Sequence, residues 1–128
     1  MIVADTDVLI DFLSGSEPMA SRIAVELEHA DLHTTAVTRF ELVAGARSPR
    51  QQVAVADLLA ALPVLRLDTA AADRAAAVRL ALEAKGQPIG MADCLIAGIV
   101  LENDGILLTR NKRHFKRVDG LSVSPLHE

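Results

Sequence analysis

Apolar positions along this chain fall into two kinds of run that alternate from one end to the other. Short stretches at Ile2 to Ala4, Leu32 to Thr35, Val64 to Leu67 and Ile106 to Leu108 are too brief for helices and read as strands, and Leu121 to Val123 offers a short fifth. Between them the apolar residues recur at helical spacing. One helix is predicted over Asp7 to Leu13, closed by Ser14-Gly15, and another opens at Glu17-Pro18 and runs to Glu28. Further helices are predicted over Thr38 to Ala46, over Arg50 to Leu62 with Pro63 as a stop, and over the alanine-rich Thr69 to Lys85, ended by Gly86. A last helix follows the loop GQPIG and stops near Asp104-Gly105. Strands that alternate with helices imply a mainly parallel sheet of four to five strands covered on both faces, an α/β/α sandwich of three layers. No repeat, linker or low-complexity segment interrupts the pattern, so residues 1–128 read as one domain.

One residue breaks the apolar pattern. Asp93 is the only charge in GMADCLIAGIVL, a helix apolar on nearly every side and therefore expected to be buried. Helical spacing groups it with Ile96, Ala97 and Val100, on the side facing the core. An ionised carboxylate there is costly unless a hydrogen-bonding partner or a cation meets it. The topology supplies companions, because strand C-termini and helix N-termini share one edge of such a sheet. Asp5 follows the first strand, Glu41 lies in the first turn of the helix opened by Thr38, and Asn111 lies just past the fourth strand. Each has a local reading too: Asp5-Thr6-Asp7 as a helix cap, Thr38 to Glu41 as a capping box, Asn111 as a turn residue. Three carboxylates and an amide on one edge would repel or protonate unless a divalent cation neutralised them.

Composition narrows the classes. A hydrophobic fraction of 51% over 128 residues excludes a disordered chain. The run CLIAGIVL is far short of the roughly 20 residues needed to span a bilayer, and the acidic N-terminus lacks the basic start of a signal peptide. Cys94, the single cysteine, reads as a packed thiol, and a reducing cytoplasm is expected. The net charge of −4 argues against coating nucleic acid by bulk electrostatics. Yet Arg110, Lys112, Arg113, Lys116 and Arg117 gather five of the thirteen basic residues within eight positions. With no Trp or Tyr and only Phe12, Phe40 and Phe115, an aromatic stacking platform is not expected, so any nucleic acid would be held by its phosphates. A solvated loop or helix end is the alternative reading of that cluster. His29, His33 and His127 show no ligand spacing.

The segments IVADTDVLID, T-x-x-E-L from Thr38 to Leu42, IGMADCLIAG and LLTRNKRHFKRVDGL, in this order, resemble a PIN domain. The chain is most similar to the VapC-type toxin nucleases of bacterial toxin–antitoxin pairs. That resemblance implies endonucleolytic cleavage of RNA at an acidic cluster holding Mg2+ or Mn2+. Asp5, Glu41 and Asp93 match the family's acids, and Asn111 matches a fourth position that is Asp in some members and Asn in others. Asp5 and Asp93 would bind the cation directly, Glu41 and Asn111 directly or through water. Thr109 resembles a supporting hydroxyl, with Thr6 in a similar part. Products with a 3′-hydroxyl and a 5′-phosphate, a cognate antitoxin and a homodimer are further implications, and the basic cluster would hold flanking phosphates. Two departures bear on the site. Asn111 brings no charge, so one firmly bound cation is expected rather than two, and His114 stands where many relatives are acidic and reads as an exposed loop histidine. Two other readings compete: a PIN-like module that binds RNA or a partner without cutting, and a haloacid-dehalogenase-like phosphatase using Asp5 of its D-x-D-x-V opening. The latter needs a lysine that Lys85 supplies poorly and an acidic neighbour that Asp93 lacks. Roles for Asp7 and Asp11, and the identity of the RNA, stay open.

Overall fold

The computed structural model describes residues 1–125. In chain order the elements are β1 (Ile2–Ala4), α1 (Thr6–Ser14), α2 (Met19–Glu28), β2 (Leu32–Thr35), α3 (Ala36–Gly45) and α4 (Pro49–Ala60). They continue with β3 (Val64–Leu65), α5 (Thr69–Ala84), α6 (Met91–Glu102), β4 (Ile106–Leu108), α7 (Lys112–Phe115) and β5 (Ser122–Val123). All five strands pair in parallel, in the order β3-β2-β1-β4-β5. The central strand β1 places Ile2 beside both Leu32 and Ile106, and Ala4 beside Leu108.

Alternation along the strands builds two cores. Ala4 and Leu108 face one side, packed with Val8, Leu9, Ile23 and Leu58 of the helices there. Val3 and Leu107 face the other, with Val78, Leu82, Ile96, Ala97, Val100 and Phe115. Both faces of the sheet are therefore covered, which is why its strands carry apolar residues at consecutive positions. The three-layer sandwich expected from the alternating pattern is the observed fold.

The alanine richness of α5 has a packing cause. A Cβ on Gly98 of α6 would meet the backbone of α5 at 2.6 Å from Ala75 N and 2.7 Å from Ala71 O. Small residues on both helices thus let their backbones approach. Cys94 is buried in the same layer, its thiol 3.9 Å from the Ile89 carbonyl, as a packed thiol should be.

Element boundaries differ from the sequence reading at several points, most of them by a residue or two. Helix α3 starts at Ala36, not Thr38, because Thr35 is its N-cap and accepts from the Thr38 amide. Helix α4 starts at Pro49 behind a reciprocal Ser48–Gln51 capping box, and β3 stops at Leu65. The basic cluster, read as a loop or helix end, includes the one-turn helix α7, held down by fully buried Phe115. Among the described residues no helix is long and apolar enough to cross a membrane. His127 lies outside the described residues.

Candidate active site

The strand order reverses between β1 and β4, and both strands deliver their next residues to the crevice outside that point. Asp5 follows β1 and N-caps α1; Thr109 follows β4. The Asp5 amide donates to the Leu108 carbonyl at 2.9 Å, tying the two strand ends together. Asp5 Oδ1 accepts from the Thr6 amide at 2.7 Å and Oδ2 from the Thr109 hydroxyl at 2.7 Å. The residue is nearly sealed, at 5% exposure. A cap explains the first of those bonds but not the choice of so buried a carboxylate.

Asp7 joins from the first turn of α1. Its carboxylate accepts from the Arg110 amide at 3.2 Å and lies 3.4 Å from the Thr109 hydroxyl. Asp11, one turn further along, pairs with Arg110 Nε at 2.8 Å. The acids whose roles the sequence left open are thus placed: Asp7 belongs to the cluster's wall and Asp11 clamps the segment after β4. The signal for Asp7 was its adjacency to Asp5, which a helix cap explained equally well.

Glu41 arrives from α3, and here the sequence expectation needs correcting. Thr38 and Glu41 do not form a capping box, since Thr35 Oγ1 already takes the Thr38 amide at 3.1 Å. Glu41 lies in the second turn instead, and its Oε1 accepts from the Thr6 hydroxyl at 2.6 Å. The Thr38 hydroxyl lies 3.1 Å from that of Thr6 and 3.3 Å from that of Thr35. A row of hydroxyls, buried at Thr35 and Thr38 and half-buried at Thr6, therefore links α3 to the start of α1, and it carries Glu41 across to Asp5's side of the crevice.

Asp93 enters from the first turn of α6. It is half-buried, its side chain 25% exposed, and it faces the crevice while Ile96, Ala97 and Val100 fill the core. Its Oδ2 accepts from Asn111 Nδ2 at 3.3 Å. The same Asn111 nitrogen lies 3.0 Å from His114 Nδ1, which is itself 3.8 Å from Asp93 Oδ2. His114, expected as an exposed loop histidine, instead lies in α7 and forms part of the crevice wall, with its side chain 42% exposed.

The electrostatics show a cluster short of positive charge. Burial pushes the Asp5 carboxyl up from 3.8 to about 6; Asp7 and Asp93 add to the rise, against the hydrogen bonds from Thr109 and Thr6. Burial also raises Asp7, opposed by the Arg110 amide and guanidinium. Asp93 is raised first by burial and then by Glu41 and Asp7, with His114 opposing. Asp93 is thus within electrostatic reach of Asp5, Asp7 and Glu41. The donors are carboxylate, amide and hydroxyl oxygens with one imidazole beside them, a set suited to a hard divalent cation rather than a thiophilic one. Among the described residues no three acidic, histidine or cysteine side chains close into a ligand cage by themselves.

The basic residues do not act as one patch. Arg113 and Lys116 are exposed on or beside α7, and Lys112 is half-buried. Arg110 is engaged with Asp11, and Arg117 donates to the Pro88 carbonyl at 3.2 Å.

A sheet of this order with acids gathered at the reversal point is the arrangement of a PIN domain, and the PIN-domain family model matches residues 2–121. The chain belongs to the PIN-domain family. Within it, the chain is similar to curated VapC nucleases. It is 33% identical over 121 residues to the tRNA(fMet)-specific endonuclease VapC of Shigella flexneri, covering 91% of each chain. It is 31% identical over 123 residues to the protein of the same name from Salmonella typhimurium, covering 93% of this chain and 92% of the relative. Among solved structures, the DNA-bound VapBC of Salmonella typhimurium matches with a TM-score of 0.85 and 27% identity, covering 98% of this chain and 97% of that one. The chain is accordingly a nuclease of the VapC type. VapC nucleases are generally metal-dependent. The phosphatase reading of Asp5 is left without support.

Proposed function

We propose that this protein is the toxin of a toxin–antitoxin pair and cuts RNA with a divalent cation, Mg2+ or Mn2+, held in the crevice by Asp5 and Asp93. Glu41 and Asn111 complete the shell directly or through water. The observation that carries this reading is the convergence of Asp5, Glu41 and Asp93, from three separate segments, on the edge where β1 and β4 diverge. A cation bound there acidifies a water molecule and offsets the charge that develops on the phosphodiester.

The chain's own residues do the positioning. Thr109 fixes one oxygen of Asp5 and the Thr6 amide fixes the other, so the carboxylate has one orientation. The Thr6 hydroxyl holds Glu41 at the crevice instead of letting it swing into solvent. Exposed Arg113 and Lys116 hold flanking phosphates, and Lys112 assists, whereas Arg110 and Arg117 mainly brace the segment that carries Asn111. No serine, cysteine or histidine nucleophile enters, and the resemblance to VapC-type nucleases implies a 3′-hydroxyl and a 5′-phosphate as the ends. Transfer RNA is the first substrate to test, because both curated relatives are named for it.

The antitoxin proposal has its own support. An apolar groove of about 450 Å³ runs between α1, α3 and α4, lined by Ile10, Leu13, Leu42, Ala46 and Val55, with Glu41 in its wall. An apolar antitoxin segment seated there would lie against Glu41. Homodimerisation and a cytoplasmic location belong to the same proposal, as does the single PIN domain over residues 1–128.

The test is induced expression of the wild type and of Asp5→Ala, followed by sequencing of new RNA 5′ ends. New 5′-phosphate ends and arrested growth in the wild type alone are expected. Equal growth with no new ends in either culture would overturn the reading.

A further inference from the structure

His114 is, with Asp7, a side chain in the crevice wall that the proposed chemistry leaves unused. Its place in the hydrogen-bond geometry is nonetheless defined. Asp93 as a carboxylate only accepts, so the Asn111 atom 3.3 Å from its Oδ2 must be the amide nitrogen, as placed; an oxygen there would face an oxygen. The amide has two hydrogens. One goes to Asp93, and the other meets His114 Nδ1 at 3.0 Å. A ring nitrogen that accepts from an amide carries no proton, so the neutral ring bears its hydrogen on Nε2. Among the described residues, Asn111 Oδ1 accepts no hydrogen bond from a side chain or the backbone. The two bonds through Nδ2 thus fix which end of the amide is free.

The geometry points to His114 as a positioning residue. We infer that its Nδ1 holds the Asn111 amide so that Oδ1, a neutral hard oxygen, is the atom Asn111 offers to the cation. This inference rests on the proposed cation site. It gives the histidine a task different from ligation: it acts through Asn111, as partners behind metal ligands generally do. The short helix α7 makes the contact possible. Asn111 precedes its first turn and His114 sits three residues on, while fully buried Phe115 anchors the turn between them and the core.

The test uses the full chain with manganese chloride as the probe. Binding is followed by calorimetry and by the manganese electron paramagnetic resonance signal, and the histidine tautomer by two-dimensional 1H–15N spectra of the metal-free protein above neutral pH. The wild type is expected to show an acceptor-type Nδ1 and a protonated Nε2. His114→Ala should weaken manganese binding by about 10-fold, the lower end of what loss of a partner behind a ligand costs. His114→Gln, which returns an acceptor oxygen, should restore much of that loss. Unchanged melting of His114→Ala in chelator separates the effect from misfolding. Asp93→Asn serves as the reference. If Asp93→Asn abolishes manganese binding while His114→Ala leaves it at the wild-type level, the positioning role is wrong and the cation site stands. If neither variant alters binding, the cation site itself is wrong. A proton on Nδ1 in the wild type would overturn the positioning role by itself.

Discussion

Asp5 concentrates the conflict between stability and activity in one carboxylate. Its folded-state pKa of about 6 lies above the ordinary 3.8, so between those values the folded chain holds a proton that the unfolded chain has released. Stability contributed by that proton is fully present below 3.8 and lost as pH rises through about 6. The metal-free protein should therefore melt at a higher temperature at pH 5 than at pH 7.5. The shift from 3.8 to about 6 corresponds to no more than about 3 kcal/mol. Magnesium should recover part of the difference at pH 7.5 and little of it at pH 5. A melting temperature that rises with pH in chelator would contradict this. Asp5→Asn should do the opposite to the two properties, raising the metal-free melting temperature at pH 7.5 while abolishing cleavage. Thr6→Val tests the hydroxyl that holds Glu41. Cleavage should fall by one to two orders of magnitude, about the loss expected when a positioned group loses its partner, with Thr6→Ser recovering most of it.

At the scale of elements, α5 and α6 approach each other closely at Gly98. Gly98→Val drives a branched side chain into backbone rather than into a flexible side chain. It should destabilise the fold by at least the roughly 1–3 kcal/mol typical of overpacking, measurable by urea denaturation. Because α6 carries Asp93, cleavage should fall with it even below the melting transition. Most elements were legible because each is announced locally: short β-prone runs, Gly86 and Pro63 as stops, and the apolar α6 with its lone acid. The start of α3 was not. Thr35 and Thr38 both suit an N-cap, and the T-x-x-E pattern favoured Thr38. What decides the matter is that Glu41 has a partner 35 residues earlier, Thr6, and no local pattern records so distant a bond. Helix α7 was hidden for a related reason: its basic residues dominate the composition, while its single anchor, Phe115, has a pattern only in three dimensions. The acids of the site could be read because topology alone sends them to one edge. The histidine beside them could not, since its contact with Asn111 depends on that unforeseen turn.

Over the whole molecule, a chain of net charge −4 must bind a polyanion. The acids are gathered in the crevice, and exposed Arg113 and Lys116 on or beside α7 have no ion-pair partner among the described residues, so the field near α7 is mixed in sign rather than uniformly repulsive. Affinity for RNA should consequently be modest and steeply dependent on salt. The double variant Arg113→Gln, Lys116→Gln should weaken binding of any RNA alike and lower the slope of log affinity against log salt by roughly 1 to 2. A change confined to one RNA sequence would show that these residues read bases instead. The central claim concerns the crevice, and one measurement addresses it most directly: cleavage of transfer RNA by purified wild type and Asp93→Asn, each with magnesium and with chelator. Cutting that leaves 5′-phosphate ends is predicted for the wild type with magnesium and for no other combination. Cutting that persists in chelator, or in Asp93→Asn with magnesium, would contradict the account.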